Sequence, residues 1–126
     1  MLKNEEFRIL YNMLSKLSLG HYGEQIAKQY LAERGYAIID QNYYTRYGEI
    51  DLIVAKNGTI IFVEVKTRTN TAYGYPEDSI SKKKKKSLVA CAQRYMINKT
   101  QPWQIDVIAI TLEGNKAKVL HIENCV

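Results

Sequence analysis

The dipeptide Asn57-Gly58 constrains the fold more than any other feature, because it separates two largely apolar runs, residues 49–56 and 59–66. Asn-Gly readily adopts the two positive φ angles of a type I′ turn, the shortest connection between antiparallel strands. The sequence therefore predicts a β-hairpin, and the turn determines which residues face each other across the two strands.

In the register that this turn sets, Lys56 faces Thr59 and the earlier residues pair in order. Beyond the Lys56/Thr59 pair beside the turn, one face of the hairpin holds only apolar pairs, which are Val54/Ile61, Leu52/Val63 and Ile50/Val65. The other face holds the apolar pairs Ala55/Ile60 and Ile53/Phe62, followed by Asp51/Glu64 and Glu49/Lys66. This second face therefore changes from apolar to charged along the hairpin.

The predicted Asp51/Glu64 pair would place two carboxylates on adjacent strands, with their β-carbons about 5 Å apart. Like charges at that distance destabilise a sheet, and the apolar neighbours increase the cost by removing water. A shared proton, a nearby cation such as Lys66 or a bound divalent metal would offset the repulsion. The alternative is a solvated strand end with weak surface ion pairs. The metal site is favoured because Asp51 and Glu64 continue a face whose other residues, between the acids and the turn, are all apolar.

Other segments complete a pattern of alternating helices and strands. Helices are expected over residues 2–17, over residues 22–34 and from Ser79 or Ser81 to residue 97, and further strands over residues 36–46, 104–111 and 118–122. Residues 67–78, which include Gly74 and Pro76, are expected to form a loop. We divide the chain into an N-terminal helical extension, residues 1–19, and a single domain, residues 20–126.

Two helical features have more than one interpretation. Glu24 points toward the apolar face that holds Ala27 and Leu31, where it is either a first-turn acid favoured by the helix dipole or part of a site. The apolar stripe of residues 2–17 either docks on the core or pairs two copies of the chain. From the residues alone, the simpler role is favoured in each case.

A run of lysines, consisting of Lys82, Lys83, Lys84, Lys85 and Lys86, occupies the first turns of the third predicted helix. Lysines there repel one another and oppose the helix dipole. Such a run forms either a solvated face or a contact surface for phosphate groups. The chain has 18 Lys and Arg against 13 Asp and Glu, a net charge of +5, which is compatible with a nucleic-acid partner.

The rest of the composition excludes several classes of protein. Cys91 and Cys125 lack the spacing of zinc ligands and are expected to be reduced thiols. No apolar run is long enough to span a membrane, and the start of the chain contains acids and does not resemble a secretory signal. We therefore expect a cytoplasmic protein that does not associate with a membrane.

The hairpin residues resemble a known nuclease signature. Asp51, twelve intervening residues and then Glu64-Val65-Lys66 resemble the PD-(D/E)xK pattern. A wider pattern resembles the bacterial YraN family, which is described as predicted endonucleases related to archaeal Holliday junction resolvases. It comprises Gly23-Glu24 with Ala27 and Leu31, Gly35-Tyr36, Asn42, Gly48-Glu49-Ile50-Asp51-Leu52-Ile53, Phe62-Val63-Glu64-Val65-Lys66, Arg68, Gly74 and Pro76. The resemblance covers residues 20–122.

The resemblance implies an α/β fold of the restriction-endonuclease-like kind, with a central mixed β-sheet flanked by helices on both faces. It also implies that Glu24, Asp51 and Glu64 are the acidic site residues. By the same similarity, the backbone carbonyl of Val65 is a further metal ligand and Lys66 is the catalytic lysine. Glu24, which has a simple explanation as a lone helical acid, gains a functional one as a third carboxylate.

Two positions depart from the pattern of the family. Gln104-Ile105-Asp106 stands where the family often has Arg-Phe-Asp, so this chain lacks any function that the arginine has. Ile50 stands where the signature has proline, as is usual in this family. Neither departure affects the residues expected to bind metal.

The resulting hypothesis is a metal-dependent endonuclease that hydrolyses phosphodiester bonds of DNA with Mg²⁺ or Mn²⁺. Asp51 and Glu64 would hold the ion, Glu24 would bind it through water or help hold a second ion, and Lys66 would orient the attacking water. Arg68 and the lysine run would contact the DNA backbone. The similarity to resolvases suggests branched DNA, such as a Holliday junction, as substrate and a homodimer as the active form.

Three other functions agree with parts of the sequence. The first is a non-catalytic nucleic-acid-binding protein with a vestigial nuclease site, which a test of metal dependence would separate from an enzyme. The second is a small enzyme that uses the two carboxylates for acid–base chemistry, against which the lysine run and the basic charge argue. The third is an assembly protein that uses its N-terminal helix, which removal of the residues before Gly20 would test.

Overall fold

The computed structural model describes residues 16–69 and 80–126. Most of the helix predicted over residues 2–17, and with it most of the extension assigned to residues 1–19, lies outside this part of the chain, as do Gly74 and Pro76. The described elements are α1 (Lys16–Glu33), β1 (Ala37–Thr45), β2 (Gly48–Lys56), β3 (Thr59–Arg68), α2 (Lys82–Tyr95), β4 (Trp103–Glu113) and β5 (Lys116–Ile122). Neither of the described helices is long and apolar enough to cross a membrane.

The strands form one five-stranded sheet in the order β1-β2-β3-β4-β5. β1 and β2, β2 and β3, and β4 and β5 pair antiparallel, whereas β3 and β4 run parallel. Helix α2 lies in the connection between the two parallel strands, because such strands need a crossover rather than a tight turn. The sheet is therefore mixed, as predicted.

Each face of the sheet is covered by one helix. On one face, Ala27 and Leu31 of α1 pack against apolar side chains of β2, β3 and β4. On the other face, Leu88, Cys91 and Ala92 of α2 pack against side chains that point the opposite way from β2 and β3. The predicted α/β fold is confirmed, and this arrangement is consistent with a restriction-endonuclease-like protein.

The turn of the hairpin has the predicted geometry. Asn57 and Gly58 have φ angles of 51° and 81°, both positive as a type I′ turn requires. β2 and β3 pair in the predicted register from the Lys56/Thr59 pair to the Leu52/Val63 pair. The backbone pairing ends there. It therefore does not include the three further pairs that were predicted, Ile50/Val65, Asp51/Glu64 and Glu49/Lys66.

The prediction that Ile50 shares a face with Leu52 is wrong. Ile50 packs with Ile53 on the α2 face, whereas Leu52 packs on the α1 face. The change of face occurs at Asp51. Asn42 of β1 would lie opposite Asp51, but it has a left-handed backbone with φ 52°. Neither Asn42 nor Asp51 is paired in the β1–β2 ladder. Such an irregularity interrupts the alternation of side chains along a strand.

The two helices differ in how well their starts were predicted. Helix α1 begins at Lys16 rather than at residue 22, and it continues through Gly20. Packing of Leu19 and Tyr22 against the α1-face core supports these extra turns and outweighs the low helix propensity of glycine. Helix α2 begins after Ser81, one of the two predicted caps, whose side chain accepts a hydrogen bond within the first turn.

Candidate active site

The candidate active site lies where the β2–β3 ladder ends. Beyond the Leu52/Val63 pair, the backbone N–H of Val65 donates a hydrogen bond to Asp51 Oδ2 over 2.8 Å. A side-chain carboxylate therefore takes over from the backbone as the link between the two strands. This hydrogen bond holds Asp51 against β3, beside Glu64.

Glu64 is the most enclosed carboxylate of the site, with only 5% of its side chain exposed. It follows Phe62 by two residues on β3 and therefore points toward the α2 face. Burial, then the charge of Asp51 and a hydrogen bond shared with it, raise the pKa of Glu64 to about 8. The two carboxylates thus meet as predicted, although through their side chains rather than as a backbone pair.

Lys84 of α2 provides a positive charge at this site. Its Nζ lies 3.4 Å from Glu64 Oε2, and 38% of its side chain is exposed. Its charge opposes the rise in pKa of both Glu64 and Glu49. Helix α2 is held nearby by a hydrogen bond of 2.8 Å from Ser87 Oγ to the Tyr47 carbonyl. One member of the lysine run is therefore part of the site itself.

A second pair of carboxylates, Glu24 of α1 and Glu49 of β2, meets at Asn42. With its amide nitrogen toward them, Asn42 donates to Glu24 Oε1 and to Glu49 Oε1, each over 2.9 Å. Partial burial, followed by the charge of Asp51, raises the pKa of Glu24 and the pKa of Glu49. Glu24 therefore lies at the hairpin site, as the family resemblance implies.

Close packing of α1 on β3 brings Glu24 to this position. Gly23 lies against Thr67, so a β-carbon at position 23 would overlap the Thr67 hydroxyl and stand 3.0 Å from Thr67 Cβ. Only glycine permits so close an approach without a shift of the surroundings. Gly23 thus sets the depth at which α1 packs and, with it, the reach of Glu24.

The remaining residues predicted for the site lie along β3 and α2. Lys66 is half-buried, and the salt bridges of the described residues do not include it. Its predicted neighbour Glu49 instead forms hydrogen bonds with Asn42 and Tyr44. Arg68 ends β3 and is half-buried. Within the lysine run, Lys82, Lys83 and Lys86 are exposed, and Lys84 and Lys85 are half-buried.

Asp51 and Glu64 offer hard oxygen donors in a partly dry place, which suits Mg²⁺ or Mn²⁺. Glu24 does not complete a compact set of three donors with them. In residues 16–69 and 80–126, only one group of three acidic, histidine or cysteine side chains has ligand atoms all within 4.8 Å of one another, and it lies elsewhere. The hairpin thus provides two adjacent carboxylates, with Glu24 and Glu49 beside them.

That compact group consists of Asp106, His121 and Glu123, which could hold a metal. Asp106 is fully buried, and its Oδ2 lies 2.8 Å from His121 Nε2. Its Oδ1 accepts hydrogen bonds from the Asn124 backbone N–H and from Gln104. Burial alone would raise the pKa of Asp106, but these hydrogen bonds, that of His121 foremost, lower it.

Comparison with known proteins assigns the chain to a family. The model of the Uncharacterised protein family UPF0102 matches residues 23–110. The chain belongs to this family. A UPF0102 protein of Syntrophomonas wolfei is 41% identical over 109 residues, which cover 84% of this chain and 95% of the relative. UPF0102 proteins of Alkaliphilus oremlandii and Rhodococcus opacus are 42% and 36% identical, covering 84% and 89% of this chain and 95% and 98% of the relatives.

UPF0102 is the YraN family, so the resemblance noted in the sequence is confirmed. The matched region includes every residue of the hairpin site: Glu24, Asn42, Glu49, Asp51, Glu64, Lys66 and Lys84. His121 and Glu123 lie beyond it. Membership in UPF0102 supplies no reaction, and the chemistry of the site therefore rests on its geometry.

Three features of these sites were not predicted from the sequence. Asn42 stood out only as part of the family pattern, and Lys84 only as one of several phosphate contacts. The Asp106 group was not predicted at all, although an acid among the apolar residues of β4 was a signal for it. For Lys84, the sequence offered no signal that singled it out within the run, since only the packing of α2 brings it to Glu64.

Proposed function

We propose that the protein is a metal-dependent endonuclease that hydrolyses phosphodiester bonds of DNA. The observation that carries the proposal is the contact between Asp51 and Glu64, because two adjacent carboxylates in a buried place are stabilised by a cation. These residues, together with Lys66, form the part of the sequence that resembles PD-(D/E)xK nucleases. Membership in the family that carries this resemblance supports the proposal.

Asp51 and Glu64 would hold Mg²⁺ or Mn²⁺, with the Val65 carbonyl as a further ligand. The donor chemistry fits such ions because every donor is an oxygen. When bound, the ion neutralises charge on the phosphate and lowers the pKa of a coordinated water. Glu24 would bind through a water molecule or help to hold a second ion, and the hydrogen bond from Asn42 fixes its carboxylate for either role.

Lys66 would orient the attacking water and stabilise negative charge on the phosphate. It follows Glu64 by two residues on β3, and both side chains therefore project toward the same face. The salt bridges of the described part of the chain leave its ammonium unengaged, which suits a group that meets a phosphate. The strand thus presents a metal ligand and a cation side by side.

DNA is the proposed substrate because positively charged side chains lie beside the carboxylates. Lys82, Lys83 and Lys86 are exposed at the start of α2, and Arg68 ends β3. Contacts of such side chains with phosphates position a duplex without reading its sequence. Branched DNA is the first substrate to test, and a homodimer would match the two-fold symmetry of a four-way junction.

The decisive experiment is a cleavage assay on linear, flapped and four-way-branched DNA with Mg²⁺ or Mn²⁺. Asp51→Ala, Glu64→Ala and Lys66→Ala are the matched variants, and each is expected to lose cleavage while retaining DNA binding. Wild-type protein that binds DNA and cuts none would favour the non-catalytic nucleic-acid-binding alternative. Cleavage by all three variants at the wild-type rate would show that the reaction occurs at another site.

A further inference from the structure

Within residues 16–69 and 80–126, Lys84 is the cation that forms a salt bridge with the buried acid of the proposed site. Its Nζ lies 3.4 Å from Glu64 Oε2, and its charge also acts on Glu49. In the metal-free protein it therefore supplies part of the positive charge that the contact between Asp51 and Glu64 requires. Lys66, the lysine of the nuclease signature, does not take part in this ion pair.

The helix itself does not favour a lysine at this position. Lys84 lies in the first turn of α2, where the exposed backbone N–H groups make positive charge unfavourable and where the neighbouring residues are also lysines. Its backbone N–H donates to Ser81 Oγ over 3.0 Å, so the residue is fixed at the start of the helix. Lys82 and Lys83 are exposed, whereas Lys84 turns inward to Glu64. The compensating negative charge therefore comes from the site.

A metal ion on Asp51 and Glu64 would occupy the same region as the Lys84 ammonium. Both need the oxygens of Glu64, and two positive charges at such short range repel each other. The Lys84 side chain is more than one third exposed, so its flexible stem can move the ammonium toward solvent without unpacking the helix. Metal binding and the ion pair are thus alternatives at one carboxylate.

On the basis of the proposed function, we propose that Lys84 is an exchangeable counter-ion of the site. It pairs with the ionised carboxylate of Glu64 in the metal-free protein, and metal binding displaces its ammonium toward the phosphate of the substrate. This assigns two successive partners to one side chain. Lys84 stabilises the buried acid before the metal arrives and adds positive charge at the phosphate afterwards.

The test compares Mn²⁺ affinity in Lys84→Met, Lys83→Met and Lys84→Arg, measured by calorimetry on metal-free protein at a pH above the raised pKa of Glu64, where this carboxylate is ionised. Lys84→Met removes the competing ammonium and should bind Mn²⁺ about fivefold more tightly than wild type. Lys83→Met removes the same charge from the same turn without an ion pair to Glu64, and its affinity should stay within about twofold of wild type. Lys84→Arg keeps the charge and should restore the wild-type affinity. Circular dichroism confirms that each variant is folded.

A second measurement tests whether the Lys84 ammonium acts on the phosphate once metal has displaced it from Glu64. At saturating Mn²⁺ and saturating DNA, single-turnover cleavage by Lys84→Met should be at least about tenfold slower than wild type, because a charge at the phosphate is lost. Equal Mn²⁺ affinities of Lys84→Met and Lys83→Met would overturn the exchange. Tighter Mn²⁺ binding with an unchanged cleavage rate would overturn the transfer to the phosphate. A wild-type protein that cuts no DNA would refute the proposed nuclease, while the Mn²⁺ affinities would still decide whether Lys84 is the counter-ion.

Discussion

The backbone N–H of Val65 donates a hydrogen bond to the Asp51 carboxylate at the point where the β2–β3 ladder has ended. One side chain thereby contributes to the fold and to the proposed metal site. A hydrogen bond to an ionised acceptor is stronger than one between neutral groups, so Asp51 also stabilises the open end of the hairpin. A test of its chemistry must separate its charge from its hydrogen bond.

Asp51→Asn makes that separation, because the amide oxygen can still accept from Val65. We expect the variant to fold and, without metal and at a pH above the pKa of Glu64, to be at least as stable as wild type, since the repulsion between the two ionised carboxylates is gone. Mn²⁺ should no longer raise its melting temperature. Asp51→Ala is the control: it loses the hydrogen bond as well and should be about 1–2 kcal/mol less stable than Asp51→Asn. Mn²⁺ stabilisation of Asp51→Asn equal to that of wild type would contradict the assignment.

The stability of the metal-free protein should fall as the pH rises. Burial and Asp51 raise the pKa of Glu64 to about 8, whereas an exposed Glu titrates near 4.3, so the folded protein holds a proton that the unfolded chain has released. The resulting stabilisation is complete below the unfolded pKa and is lost as the pH rises through the folded pKa. The free energy of unfolding should therefore decrease between about pH 5 and pH 8, by at most about 1.4 kcal/mol per pH unit for one proton.

Urea denaturation across this pH range checks the prediction. Glu64→Gln, which cannot ionise, should show a flatter dependence, and Mn²⁺ should restore stability to wild type near pH 8. Glu24 and Glu49, whose pKa values are also raised, contribute with the same sign and account for the slope that remains. An identical slope in wild type and Glu64→Gln would rule out Glu64 as its source.

Gly23→Ala should destabilise the protein, because its β-carbon would overlap the Thr67 side chain. The expected loss is about 1–3 kcal/mol, typical of overpacking, and a shift of α1 should also move Glu24 away from the site and weaken Mn²⁺ binding. Gly20→Ala is the matched control in the same helix, since its β-carbon would meet nothing within 4 Å. It should stabilise the protein by about 0.5–1 kcal/mol. Equal effects at both positions in urea denaturation would contradict this account of the packing.

Asn42 combines a left-handed backbone, φ 52°, with hydrogen bonds to Glu24 and Glu49. Asn42→Gly removes the side-chain amide, and glycine adopts the left-handed backbone without strain. Asn42→Ala also removes the amide, but it strains the backbone by about 1–2 kcal/mol. The glycine variant should therefore stay close to wild type in stability, yet bind Mn²⁺ about tenfold more weakly, as is typical when the partner of a ligand is lost. Wild-type Mn²⁺ affinity in Asn42→Gly would show that Asn42 only shapes the strand.

Local chemistry explains which parts of the fold the sequence predicted. Asn57-Gly58 determined the register as far as the Leu52/Val63 pair, because a type I′ turn is specified by its own two residues. The same reasoning failed at Ile50, where the alternation is interrupted opposite Asn42 of another strand. Hairpin periodicity carries no information about such an interruption from a neighbouring strand.

The residues of the candidate site also differ in whether a single hairpin or the packing of several elements brings them together. Asp51 and Glu64 belong to one hairpin, so their proximity followed from the register. Glu24 reaches them from α1, and only the family resemblance indicated its role. Lys84 comes from α2, and its contact depends on how that helix packs over the sheet. Residues that different elements bring together through tertiary packing cannot be paired from periodicity alone.

Among the residues that the structure describes, two groups of side chains could hold a divalent metal, the Asp51/Glu64 pair and the group around Asp106. His121 is already engaged at both ring nitrogens, at 2.8 Å from Asp106 Oδ2 and 3.3 Å from the Tyr30 hydroxyl. Asp106 also accepts from the Asn124 backbone. A metal there would have to replace hydrogen bonds that already satisfy the buried acid. We therefore expect Mn²⁺ to bind at Asp51 and Glu64 instead.

Glu123→Gln is the informative variant, because Glu123 is exposed and its replacement removes one potential ligand while leaving the buried Asp106/His121 pair intact. His121→Gln is less suitable, since it removes a hydrogen-bond partner of the buried Asp106 carboxylate, which costs about 1–3 kcal/mol whatever the metal does. Mn²⁺ should raise the melting temperature of Glu123→Gln as much as that of wild type and should have no effect on Asp51→Asn. The reverse result would be an Mn²⁺ effect that is lost in Glu123→Gln and kept in Asp51→Asn. It would assign the metal to the Asp106 group and contradict the proposed metal site at the hairpin.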